Sequence, residues 1–135
     1  MVSTGVNYWA ILVAGATYFV LGALWYSPVV FGNAWMKAVG KPKEQLEKGS
    51  TALKMIWAFV GSLIAAYGLA RILSWTGSYS LTDAIVASLL AAICFLVTVI
   101  GISDSMEARP MKLYLINIFY NLIGFCIMGI IIGVW

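Results

Sequence analysis

The sequence predicts an all-α polytopic membrane protein: four transmembrane helices with a short interfacial helix after the first. Three features lead there. The 135 residues are 63% hydrophobic and 10% charged, whereas ordinary soluble domains carry about 25% charged residues. A chain this short has too little interior to hide that much apolar surface from water. Four apolar runs each approach the roughly 20 residues needed to cross a hydrocarbon core. The net charge of +3 is gathered in the gaps between those runs, which is membrane topology and not the aromatic-lined basic face of a nucleic-acid binder.

The first run, 6–26, carries no charge. Ala14-Gly15-Ala16 imitates a cleavage site, but no basic residue precedes the run and it continues well past that point. It reads as a retained helix and not as a cleaved signal peptide. Ser27-Pro28 stops it, because proline disfavours helical geometry in the residue before it. The segment 29–40 follows, and Phe31, Trp35 and Met36 share one of its faces at helical spacing. This is the interfacial helix. Gly40-Lys41-Pro42 breaks it, and Lys43 to Lys48 forms a charged, solvated turn. The second run, 52–75, holds Lys54 and Arg71 near its ends. A short polar loop, 76–80, makes the second and third spans antiparallel neighbours. The third run, 84–102, and the fourth, 113–135, are uncharged and are separated by a polar loop containing Pro110. All four belong to one domain, 1–135.

Seven of the eight basic residues fall on one side: Lys37, Lys41, Lys43, Lys48, Lys54, Arg109 and Lys112, against Arg71 alone on the other. The positive-inside rule then places loops 27–51 and 103–112 in the cytoplasm and both termini outside the plasma membrane. Trp9, Trp75 and Trp135 fall at the outer ends of the spans, and Trp25 and Trp57 at the inner ends, where amphipathic rings are favoured.

GALWYSPVVFGNAWMKAVG, residues 22–40, resembles the signature of a small membrane family, domain of unknown function 1761. EARPMKLYLINIFYNLIGFCIMGIIIGVW, residues 107–135, resembles that family's last helix. The most specific part runs from Trp25-Tyr26-Ser27-Pro28 to Trp35-Met36. The resemblance implies a short four-helix membrane protein of a mostly bacterial family with no assigned activity. In that family an acidic residue and a histidine are common at the polar positions of the last helix. Asn117 and Asn121 stand there in this chain, which counts against carrying proton or metal chemistry over to it.

Asn117 and Asn121 are the foremost candidate site. They lie four apart on one face of the fourth span, and Tyr114, Gly124 and Met128 continue the stripe. Amides in hydrocarbon need partners. They serve either as glue between helices or as the lining of a small cavity or ion path. Gly129 and Gly133 form a GxxxG pattern, and Gly61 with Ala65 a weaker small-residue pair. Such faces permit close helix approach, within one chain or between copies. Trp25, Tyr26 and Trp35 read as interfacial anchors, with Ser27-Pro28 as a helix stop; the alternative makes the segment that follows Pro28 a lid or docking surface for lipid or protein. The basic loop beside it suits anionic lipid. Arg71 and Asp83 read as an interfacial pair. Asp104, Glu107, Arg109 and Lys112 read as a solvated turn with local ion pairs. Cys94 and Cys126 read as protonated thiols used in packing.

The chain has no histidine. It also lacks a catalytic constellation, a metal-ligand set and a cofactor motif. The expected function is therefore that of a non-enzymatic helix-packing module, acting as a homo-oligomer or as an accessory subunit of another membrane protein. Its surroundings are membrane lipid, with no nucleic acid and no cofactor. The alternative is a small oligomeric channel or transporter with a polar path near Asn117 and Asn121.

Overall fold

The computed structural model describes residues 6–40, 51–77 and 80–135. Their regular structure is entirely helical: α1 (Tyr8–Trp25), α2 (Gly32–Val39), α3 (Thr51–Thr76), α4 (Leu81–Met106) and α5 (Met111–Val134). The helices α1, α3, α4 and α5 are each long and apolar enough to cross a membrane. The chain is a multi-pass membrane protein of the fold class its sequence predicts. The break at Lys41-Pro42 and the turn from Lys43 to Lys48 lie outside the described residues.

Local chemistry sets the helix ends. Asn7 caps α1, its Oδ1 accepting from the backbone N–H of Trp9 at 3.0 Å and of Ala10 at 3.2 Å. That satisfies donors the helix itself cannot use. At the other end the Ser27 hydroxyl donates to the Leu24 carbonyl at 2.6 Å. The chain then folds back tightly, with Gly32 N–H donating to the Ser27 carbonyl at 2.8 Å. A Cβ on Gly32 would stand 2.5 Å from the Tyr26 carbonyl oxygen and 2.7 Å from the Ser27 carbonyl carbon. Only a glycine lets α2 start this close to the end of α1. Gly40 ends α2 in the left-handed region at φ 72°, the usual role of glycine just past a helix. Ser80 caps α4 by accepting from Asp83 N–H at 3.1 Å. The capping moves the start of that span ahead of 84, and its far end runs through Ser103 and Asp104 to Met106.

The layer order is α3, α1, α5, α4. The two inner helices, α1 and α5, pack against each other and each carries one outer helix. The consecutive helices α3 and α4 touch only slightly, which corrects the expectation that their short loop makes them packing neighbours. Small residues decide the pairing instead. A Cβ on Gly15 would lie 3.1 Å from the Leu63 Cα, so α3 is drawn onto α1. Gly129 and Gly133 receive α4 in the same way: a Cβ on Gly133 would stand 2.8 Å from that of Ala84. The core gathers Ile11, Ala14, Ala66, Leu69, Leu73 and Met128. The outer flanks stay open: only 11% of an 18-residue apolar stretch of α4 is buried, and Leu90, Phe95, Val99 and Ile102 are exposed along the helix. Lipid is the solvent that suits such a surface.

Inside α4, residues Ala92–Val97 form a π-helical turn. A wider turn frees carbonyls from the α-helical ladder, and in hydrocarbon each needs a donor. The Thr98 hydroxyl donates to the Cys94 carbonyl at 2.5 Å. The Tyr114 hydroxyl of α5 donates to the Val97 carbonyl at 3.0 Å. Gly101 makes room for that phenol, since a Cβ there would lie 3.0 Å from its oxygen.

Candidate functional site

The polar groups of the bundle converge on the α1–α5 seam. Tyr18 and Gly22 of α1 and Tyr26, which caps its C-terminus, repeat at four-residue steps. Asn117, Tyr120, Asn121 and Gly124 occupy the facing stripe of α5. The Tyr18 hydroxyl donates to the Asn121 Oδ1, and the Tyr26 hydroxyl donates to the Asn117 Oδ1 at 2.7 Å. The Asn121 Nδ2 donates back to the Asn117 carbonyl at 2.9 Å. The Tyr120 hydroxyl donates to the Tyr18 carbonyl at 3.0 Å, and the Trp25 indole Nε1 to the Ile116 carbonyl at 3.1 Å. Four hydrogen bonds thus tie six side chains into one seam.

The rings form a column. Tyr18 stacks on Tyr120 with centroids 4.8 Å apart and meets Phe125 edge-on at 5.9 Å. Tyr120 meets Tyr26 at 5.5 Å, and Tyr26 meets Trp35 of α2 at 5.7 Å. Such offset and edge-on pairs are favourable beyond the area they bury. Two glycines give the rings their places. A Cβ on Gly124 would run into the Tyr18 ring, and one on Gly22 would stand 2.7 Å from the Tyr120 hydroxyl. Asn121 lies ten residues beyond the start of α5, about 15 Å along the helix. The seam therefore carries hydrogen-bonding groups from the membrane surface toward its middle.

Asn117 and Asn121 come together as the sequence suggests. Tyr114 does not join them; it faces α4 and its π turn. Trp25, Tyr26 and Trp35, read as membrane anchors, are half-buried against protein, whereas Trp9, Trp57, Trp75 and Trp135 are the exposed tryptophans. Gly129 and Gly133 are covered by Ser88 and Ala84 of the same chain, so that face is spent on internal packing. Gly61 is exposed, and a Cβ there would meet nothing within 4 Å, while Ala65 packs against the core. Tyr18 and Tyr120 were not legible as site residues from their own type. The signal that marks Tyr18 is the matched four-residue spacing of Tyr18-Gly22-Tyr26 and Asn117-Asn121; Tyr120 lies outside that spacing.

Outside the seam, Arg71 lies over the Tyr67 ring at 5.3 Å from its centroid, and its Nε donates to that hydroxyl at 2.9 Å. Glu107 and Arg109 form an exposed ion pair at 2.6 Å, as the loop reading expects. Asp104 departs from that reading: it sits in the last turn of α4, is 8% exposed, and its Oδ2 has no hydrogen-bond partner among the described residues. Cys94 is exposed on the π turn and is not a packing residue; Cys126 is half-buried, and both thiols are free. Among the described residues no three His, Cys, Asp or Glu side chains gather as a metal site would require.

A cavity of about 720 Å³ opens where α1 ends and α3 and α5 begin, with Tyr26, Trp35, Lys54, Arg109, Leu113 and Asn117 in its wall. It adjoins the surface end of the network, at Tyr26 and Asn117, but does not pass through it, since the Asn121 amide is bonded at both its oxygen and its nitrogen.

The family model described as "Protein of unknown function (DUF1761)" matches residues 9–133. That is nearly the whole chain, and the chain belongs to this family. No curated protein and no solved structure matches it.

Proposed function

We propose that this family member is a non-enzymatic membrane module that works through helix packing, as a homo-oligomer or as an accessory subunit of another membrane protein. The observation behind this reading is the state of the two asparagines. Each amide oxygen accepts from a tyrosine of α1 or its C-cap, and the Asn121 nitrogen donates to a backbone carbonyl. Groups occupied in this way act as glue. A channel or transporter path would instead present both asparagines to water; Asn117 lines the end cavity, but the fully bonded Asn121 amide gives that alternative less support. The largely exposed flanks of α3 and α4 are the surfaces left for a partner, because the GxxxG face is already covered.

In this reading the module sits in the plasma membrane with its basic end in the cytoplasm and both termini outside. Lys54, in the first turn of α3, and Arg109, in the loop before α5, line one cavity, which supports placing both basic segments on the same side.

A double-mutant cycle on Tyr26 and Asn117 tests glue against path. Tyr26→Phe and Asn117→Ala, separately and together, are unfolded in mixed micelles, and flux of small ions is followed in liposomes. The expected coupling is about 0.6–1.7 kcal/mol, the range of interhelical hydrogen bonds in membranes, with no flux in any variant. Additive effects on stability, together with a wild-type flux that Asn117→Ala abolishes, would sink the packing reading.

A further inference from the structure

Two hollows meet at Tyr26 and Ala58, which line both. The first is the cavity of about 720 Å³ at the end of the bundle, with Lys54 and Arg109 in its wall. The second is a groove of about 490 Å³ on the α1–α3 flank, lined by Phe19, Ala23, Met55, Trp57 and Gly61 among others. One hollow has two basic side chains in its wall and lies where the spans end. The other is apolar and follows α1 from Tyr26 back to Tyr18 and α3 from Met55 to Ser62, inside the spans. Their combined polarity is that of an amphiphile standing upright in a leaflet.

We infer that this composite hollow binds one anionic phospholipid, its phosphate held between Lys54 and Arg109 and an acyl chain laid between α1 and α3. Arg109 gives its Nε to Glu107, but a guanidinium has five N–H donors, and an exposed ion pair of this kind is weakly held. Guanidinium and phosphate then form strong charge-assisted hydrogen bonds. The first turn of α5 adds to the attraction: Pro110 and Leu113 line the cavity, and no side chain caps that helix, so its leading N–H groups favour an anion. Gly61 keeps the groove open, since a Cβ there would meet no neighbour within 4 Å. A larger side chain would occupy the space assigned to the acyl chain without disturbing a helix contact.

The test is native mass spectrometry of the delipidated full chain, titrated in detergent with phosphatidylglycerol, phosphatidylcholine or inorganic phosphate. One phosphatidylglycerol is expected to remain bound, in preference to phosphatidylcholine. Replacing both Lys54 and Arg109 by Gln should weaken it on the order of tenfold. Gly61→Leu should weaken it to a similar extent. Gly68→Leu, whose added atoms also enter open space but which lines neither hollow, should leave it unchanged. Equal binding of phosphatidylcholine, displacement by an equal concentration of inorganic phosphate, or lipid binding indifferent to Gly61→Leu would each overturn the proposal. So would a Gly61→Leu variant whose oligomeric state changes while its lipid binding does not, because a second copy of the chain would then be the occupant of the groove.

Discussion

Gly32→Ala is expected to be among the most damaging single-methyl additions in this protein. The new Cβ would stand 2.5–2.7 Å from backbone atoms of Tyr26 and Ser27. Backbone cannot swing aside as a flexible side chain can, so the turn after α1 has to open. Opening it pulls α2 away, and with it the edge-on contact of Trp35 with Tyr26. A loss of about 3 kcal/mol or more is expected, at the upper end of overpacking and strain effects. Two other glycines calibrate the measurement. Gly40→Ala meets no atom within 4 Å but keeps a φ of +72°, so it should cost about 1 kcal/mol. Gly61→Ala adds a methyl to open space in the middle of a helix and should be neutral, or stabilising by up to about 1 kcal/mol. Unfolding in mixed micelles, followed by tryptophan fluorescence, gives all three. A Gly32→Ala variant as stable as Gly40→Ala would show that the turn is not this tight.

Gly129→Val carries the second large effect. A Cβ at Gly129 would collide with the Ser88 hydroxyl and stand 2.8 Å from the Ser88 Cβ and 3.2 Å from the Ala84 carbonyl oxygen. Ser88 is fully buried and its hydroxyl donates to that carbonyl at 2.7 Å, so it has nowhere to turn. The substitution should force α4 off α5 and cost about 2–4 kcal/mol. The milder Gly129→Ala should be partly rescued by Ser88→Gly, which returns the space from the other side. Rescue separates packing within the chain from association between chains. If Gly129→Val dissociates an oligomer and leaves the stability of the monomer unchanged, the α4–α5 contact is not where the structure puts it.

The same glycines show where sequence reasoning stops. Apolar run length located every span, because hydrocarbon thickness is a constraint each helix meets alone. The helix ends drifted where a polar residue continued a helix: Ser80 caps α4 from outside the apolar run, and Ser103 and Asp104 extend it at the other end. The GxxxG pattern announced a close approach but not its partner, since small residues admit a neighbouring helix and a second copy equally well. The pairing of α3 with α1 was hidden for a related reason. A short loop fixes which ends are near, whereas Gly15 and Gly129 fix which faces meet. The π turn was out of reach altogether. It persists through Tyr114, a residue of another helix. The asparagines were legible because amides in an apolar run are costly unless bonded. Their tyrosine partners were not, because a tyrosine in a membrane helix is ordinarily an interfacial anchor: Tyr26 was read as one, and Tyr18 lies deeper than that role requires.

On the proposed reading, a seam tied from within leaves the outer flanks of α3 and α4 as the surfaces for a partner. The most direct test of that claim is the native mass of the full chain, extracted gently from the membrane in which it is made. The packing-module account predicts a defined complex, either a homo-oligomer or a stoichiometric assembly with one other membrane protein, and predicts that it persists in Asn117→Ala. A chain that emerges as a bare monomer under conditions that keep its helices folded would contradict the account.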